Sequence, residues 1–234
     1  FSTKNDLIKF YRIPEAKISV IYEGIEEKFF QPIQNDVKMR VLEKFGLNKP
    51  YVLTLGVNLH RNLTTVFQAF KQLPQDMREN FYLVVAGATG REYANKPKFV
   101  GRATQYLEKE VETLGLKNRV IFTGHISDEE LRSLYQKAEV FCFASLSEGF
   151  GFPPLEACAN RCLVISSNQT AMAETLRSGA ILLDPLDISL WTEYLQAALT
   201  NRSSFQTYLD KGYAQVRNFT WEKCAQEHMT VYNT

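Results

Sequence analysis

The residues best equipped for chemistry lie between Ser147 and Ala157, which read Ser-Glu-Gly-Phe-Gly-Phe-Pro-Pro-Leu-Glu-Ala. Two carboxylates, Glu148 and Glu156, are separated by seven residues, with Gly149 and Gly151 between them. The glycines let the backbone come close to a ligand or take φ > 0, and Pro153 and Pro154 fit the opening of a helix. Glu148 then sits on a loop and Glu156 in the first turn of the helix. A helix start presents unpaired N–H groups and partial positive charge, which suits a phosphate or another oxygen-rich ligand. Taken alone, Glu156 reads more readily as a capping or macrodipole partner. Glu148 is harder to assign to structure, because it follows the apolar run Val140 to Ala144, where α/β proteins place ligand chemistry.

A cation is offered by Gly56-Val-Asn-Leu-His-Arg-Asn62, where Arg61 directly precedes a predicted helix. Arg61 can pair bidentately with a diphosphate, and a solvated surface arginine is an equal reading of the loop by itself. Other chemistries lack their motifs. No G-x-G-x-x-G follows a strand and no G-x-x-x-x-G-K-[ST] occurs, which argues against a dehydrogenase and a kinase. His60, His125 and His228 are far apart and form no H-E-x-x-H, so a metal site is not expected. Gly149-Phe-Gly151 has no serine between its glycines and is no nucleophile elbow.

The elements that must position these residues alternate. Strands are predicted at Tyr51–Leu55, Phe81–Ala86, Arg119–Phe122, Val140–Ala144, Cys162–Ser166 and Ala180–Leu183. Helices are predicted between them at Leu63–Leu73, Arg102–Leu114, Asp128–Lys137, Pro154–Asn160 and Thr170–Arg177. Such alternation implies an α/β fold, a doubly wound, Rossmann-like parallel sheet with helices on both faces. Ligands bind such sheets beyond the carboxyl ends of the strands, here marked by Gly56, Gly87 and Gly90, Gly124, Glu148 to Gly151, and Ser167 with Asn168. Ahead of this lie a helix from Thr3 to Tyr11, a strand from Ile18 to Tyr22, a linker from Phe29 to Gln34, and a helix from Asp36 to Phe45 capped by Asp36. The tail is helical at Ile188–Leu199, Phe205–Val216 and Trp221–Tyr232. In the last of these Trp221, Ala225, His228, Met229 and Tyr232 form one apolar stripe, with His228 expected to pack in the core.

The bulk composition is that of an ordinary globular chain of 234 residues, with 27 basic and 26 acidic side chains. A net charge of +1 leaves no electrostatic footprint for nucleic acid or an anionic membrane. Cys142, Cys158, Cys162 and Cys224 form no C-x-x-C pair and read as buried thiols of a reducing, cytoplasmic compartment. The N-x-S/T triplets at Asn62, Asn168, Asn201 and Asn218 are discounted as chance. No apolar run approaches the about 18 residues that span a bilayer. The chain opens on Phe1 within a predicted helix and reads as a fragment.

Together these segments resemble the donor-nucleotide domain of retaining glycosyltransferases of family four, which have the GT-B fold. The resemblance covers nearly the whole chain and rests on Ser19-Val-Ile-Tyr-Glu-Gly24, Val120-Ile-Phe-Thr-Gly-His-Ile-Ser-Asp-Glu-Glu-Leu131, Ser147 to Ala157 and Asp184-Pro185. The pair Glu148 and Glu156 looks like the family's E-x7-E motif. The resemblance implies that Glu156 bonds the donor ribose and that Glu148 sits at the transferred sugar. It also implies that Phe150, Gly151 and Phe152 offer backbone amides to sugar and diphosphate, and that Gly124-His-Ile126 borders the base. Gly56 marks the first strand end, and Arg61 grips the diphosphate where the family usually has lysine. Val57 and Arg161 depart from the family's usual arginine and glycine.

On this reading the chain is one domain, residues 1–234, the donor-binding half of a retaining, metal-independent transferase of a hexose, mannose or glucose. It needs no cofactor beyond its nucleotide-sugar substrate. Residues 219–234 form a final helix crossing back towards an absent amino-terminal acceptor domain, without which the chain is inactive. The acceptor is an unidentified hydroxyl, with lipid-linked or polysaccharide sugars as candidates and peripheral membrane association as a corollary. A non-catalytic nucleotide-sugar-binding module, favoured by Val57, and a nucleotide-sugar epimerase are the alternatives.

Overall fold

The computed structural model describes residues 1–87 and 100–233. Helices α1 (Ser2–Tyr11) and α2 (Asn35–Lys44) precede the alternating region, which runs β1 (Tyr51–Leu55), α3 (Leu63–Gln72), α4 (Gln75–Asn80), β2 (Tyr82–Ala86), α5 (Val100–Thr113), β3 (Val120–Phe122), α6 (Asp128–Lys137), β4 (Val140–Phe143), α7 (Phe152–Ala159), β5 (Val164–Ser167), α8 (Ala171–Leu176) and β6 (Ile181–Leu183). Helices α9 (Ile188–Thr200), α10 (Gln206–Val216) and α11 (Trp221–Tyr232) follow. The six strands form one parallel sheet in the order β3-β2-β1-β4-β5-β6. This is the doubly wound arrangement, and the winding direction reverses between β1 and β4.

Side chains alternate across the sheet, so each strand feeds two cores. Tyr51, Leu53, Val84, Phe141, Phe143 and Val164 enter one, and Val52, Leu83, Val85, Val140, Cys142 and Ile165 the other. Burial on both faces explains why the strands read as continuous apolar runs. Helix α6 is fixed by a capping box. The Ser127 hydroxyl accepts from the Glu130 amide at 3.2 Å, and the Ser127 amide donates to the Glu130 carboxylate at 2.8 Å. All four cysteines are buried free thiols.

Several local expectations are corrected. Residues 18–22 form no strand, because an extended segment needs a neighbouring ladder and this one packs by its side chains. Tyr22 stands edge-on to Phe219 at 5.5 Å. Helix α2 begins at Asn35 after Gln34, so Asp36 complements the dipole from within the first turn instead of capping it. Strand β5 starts at Val164, since the Cys162 amide still bonds the Ala157 carbonyl of α7 at 2.9 Å. Helix α4 has no counterpart in the sequence reading. His228 lies on the exposed face of α11, and its Nδ1 donates to the Cys224 carbonyl at 2.8 Å. Trp221, Met229 and Tyr232 of the same stripe are exposed, and Cys224 is the buried residue of the helix. Gly90 lies outside the described residues.

Candidate donor-binding site

The loops that follow β1 and β4 meet where the sheet reverses. Leu146 of the second loop donates its amide to the His60 carbonyl of the first at 2.8 Å, and the buried Ser145 hydroxyl bonds the same carbonyl at 3.1 Å. Glu148 and Arg61 are thereby brought together. Arg61 Nη1 lies 2.5 Å from Glu148 Oε1, and both side chains are largely shielded, with exposures of 18% and 13%. Glu148 also accepts from the Ser145 hydroxyl at 2.8 Å, and its amide donates to Thr170 Oγ1 at 3.0 Å.

Arg61 is held from two sides. Its guanidinium lies over the Phe143 ring, 4.7 Å from the centroid, in addition to the Glu148 pair. Gly56, at φ 85°, leaves the third side open, since a Cβ there would meet Arg61 Nε at 3.4 Å. Val57, by contrast, is buried in the second core, so the fold turns this position away from the cleft. The neighbour that sequence reasoning passed over is His60, whose Nε2 lies 3.8 Å from Glu148. Its proximity to Arg61 in the chain was the available signal. Ser145 and Thr170 gave none.

A cleft of about 680 Å³ opens at this pair. Arg61, Glu148, Phe150, Gly151 and Phe152 line one side, and α1 with residues 18–23 lines the other. Gly151 is the N-cap of α7 at φ 92°, and a Cβ there would fall 2.1 Å from Met172 Cε. Pro153 and Pro154 remove two of the helix's unpaired donors, so an anion at this end meets the amides around Gly151 and Phe152. The Phe150 ring turns inward against Phe152 and Phe219, at 5.0 and 5.4 Å.

Glu156 is the fifth residue of α7, because the helix starts at Phe152 and has no acidic residue in its first turn. Its expected place in that turn is corrected, and with it the capping role. It does not line the cleft beside Glu148. Burial pushes its carboxyl up to about 7, Asp128 adds to the rise, and the Tyr135 hydroxyl 3.5 Å away opposes it. Tyr135 packs edge-on against Phe141 at 5.2 Å, and Phe141 stacks with Phe143 at 5.8 Å. An unbroken aromatic line therefore runs from the Arg61 guanidinium to Glu156. Gly124 pairs with Gly87 in an isolated bridge at the strand ends, and Ile126 is half-buried against the first core. Among the described residues, no three His, Cys, Asp or Glu side chains cluster in a way that could hold a metal.

A cation and a carboxylate facing each other at the reversal point of a doubly wound sheet occupy the position where such sheets bind ligands. The family model for glycosyl transferases group 1 matches residues 38–215, and the chain belongs to that family. It is 25% identical over 232 residues to the O-antigen chain mannosyltransferase B of Escherichia coli, covering 98% of this chain and 58% of that protein. It is 31% identical over 201 residues to the O-antigen chain mannosyltransferase RfbU of Salmonella typhimurium, covering 86% and 48%. The fold matches a glycosyltransferase from Rickettsia africae with a TM-score of 0.83 at 20% identity, over 99% of this chain and 60% of that one. It also matches Anabaena HepE in complex with UDP and glucose, with a TM-score of 0.82 at 15% identity, over 99% and 61%. The chain thus spans little more than half of these relatives at most. No described helix is long and apolar enough to cross a membrane.

Proposed function

We propose that this chain is the donor-binding domain of a retaining, metal-independent hexosyltransferase. The observation that carries the reading is the Arg61–Glu148 pair at the β1/β4 reversal. Arg61 binds the diphosphate of a nucleoside diphosphate sugar, and Glu148 sits at the transferred sugar. The amides of Phe150, Gly151 and Phe152 take the remaining oxygens, and Gly56 keeps the floor clear. Glu156 bonds the ribose, and Gly124 to Ile126 borders the base. In the free chain Arg61 and Glu148 satisfy one another, so the diphosphate displaces a carboxylate from the guanidinium. As the sugar–oxygen bond breaks, charge builds on the diphosphate, where a preorganised cation and amides stabilise it most. The acceptor hydroxyl then attacks the same sugar carbon from the face the diphosphate leaves and gives its proton to the departing diphosphate oxygen. Two relatives named as mannosyltransferases favour mannose as the hexose, and the UDP–glucose complex of HepE keeps glucose in view.

The acceptor, a lipid-linked or polysaccharide sugar, binds a second domain supplied by the rest of the protein, towards which residues 219–234 turn. The test is to incubate the full-length protein with nucleoside diphosphate mannose or glucose, with a chelator present, and to follow the product's anomeric configuration. Transfer with retention supports the reading. Inverted product, or transfer only on adding metal, contradicts it. Binding without transfer would favour a non-catalytic module, and donor isomerisation an epimerase.

A further inference from the structure

A second cavity, of about 410 Å³, lies at the opposite edge of the sheet. Helices in a doubly wound fold run back against their strands, so the ends of α6 and α7 stand beside the starts of β4 and β5. There Gln136, Asn160, Arg161 and Tyr213 line the cavity with Lys38 of α2 and Arg202 of the turn before α10. Three cations thus face one recess whose lining contains no aspartate or glutamate.

Two of the cations are held in ways that packing alone leaves unexplained. Arg202 Nε is buried with no hydrogen-bond partner among the described residues, which is costly for a charged group. Burial pushes the nearby Cys162 thiol up to about 12, so it stays neutral and does not offset Arg202. Arg161 follows the end of α7 at φ 55°, a left-handed position that favours glycine. It stacks over Tyr213 at 4.0 Å and meets Asp210 at 3.7 Å in an exposed contact. The carbonyl ends of α6 and α7 add partial negative charge amounting to about one unit together, against three full positive ones.

We propose that this recess binds a small phosphate-bearing molecule, separately from the donor cleft. Arg202 and Arg161 hold the phosphate with Lys38, while Gln136 and Asn160, bonded to each other and to the backbone, form a fixed wall of the recess. The volume suits a compact phosphate monoester better than a polymer. Phe152 and Pro153 at the start of α7 line the donor cleft, and Asn160 and Arg161 line this cavity. A ligand here acts on the donor site only through that helix.

The test uses this chain with inorganic phosphate and glycerol phosphate, at ionic strength matched by chloride, read by calorimetry and thermal unfolding. The wild type should bind phosphate and gain stability, and because the donor cleft can also take phosphate through Arg61, the binding assigned to this recess is the part that survives in Arg61→Ala. Arg161→Gly should keep or raise the melting temperature without ligand, since glycine relieves the backbone, yet weaken phosphate binding at least about tenfold. Arg202→Gln should weaken it similarly. Phosphate binding lost in Arg61→Ala but unchanged in Arg161→Gly and Arg202→Gln overturns the proposal. So does a chain that ignores both phosphates but binds phosphatidylglycerol vesicles through Arg161, which would make the recess a membrane contact.

Discussion

Arg61 and Glu148, 87 residues apart in the chain, meet at 2.5 Å across the reversal point of the sheet. Neither element could bring them together alone. Pairing of β1 with β4 sets the two loops side by side, and the Ser145 and Leu146 contacts to the His60 carbonyl fix their relative height. The donor reading rests on that junction, and each element of it can be disturbed separately.

Gly151→Ala should damage the junction from the loop side. The new Cβ would meet Met172 Cε at 2.1 Å, and the residue would be held at φ 92°. Left-handed backbone and overpacking each cost about 1–3 kcal/mol, so a loss of roughly 2 kcal/mol or more is expected in urea unfolding. The double variant with Met172→Ala should not restore it fully, because the backbone cost remains. A loss below about 0.5 kcal/mol would show that the loop is free to rearrange.

Phe143→Leu should act on Arg61 through the ring beneath it. Cation–π contacts of this kind are worth about 0.5–2 kcal/mol, so diphosphate affinity should fall by a few-fold to roughly thirtyfold. Affinity for the bare nucleoside should hold. Phe141→Leu, which alters the same stack without touching Arg61, should cost stability and spare that selectivity.

Glu156→Gln should change stability and binding in opposite directions. A carboxyl raised to about 7 when folded, from an ordinary 4.5, holds its proton in the native state while the unfolded chain has lost it. Wild-type stability is therefore highest below about pH 4.5, falls as pH rises towards 7, and stays reduced above. The neutral amide removes that slope. At pH 8 the variant should be more stable by on the order of 2 kcal/mol, yet bind nucleotide less well by losing a charge-assisted ribose partner. A parallel pH profile in the two proteins would remove the buried carboxylate from the account.

Much of this was legible in the sequence, for identifiable reasons. Strands buried on both faces announce themselves as apolar runs, and turn glycines such as Gly56 and Gly124 mark their carboxyl ends, so the doubly wound architecture followed. Glu148 and Arg61 stood out because each was a charge at such an end. Their direct contact was not legible, since strand order is a tertiary fact. Glu156 was misplaced within its helix because a proline pair usually marks the first turn, while here Gly151 caps a helix that starts two residues earlier than predicted, at Phe152. Residues 18–22 carry a strand's pattern without a strand's partner. Val57 looked like a missing cation, yet only the fold shows that its side chain faces the core.

The most direct test of the account is the affinity of nucleoside diphosphate and of bare nucleoside for wild type and Arg61→Ala, measured by calorimetry. Arg61 supplies a rigid fork to two phosphate oxygens, so its loss should lower diphosphate affinity at least about tenfold, or ~1.4 kcal/mol, and leave the nucleoside nearly unchanged. Equal losses for both ligands, or no loss for either, would contradict Arg61 as the diphosphate anchor and remove the foundation of the donor site.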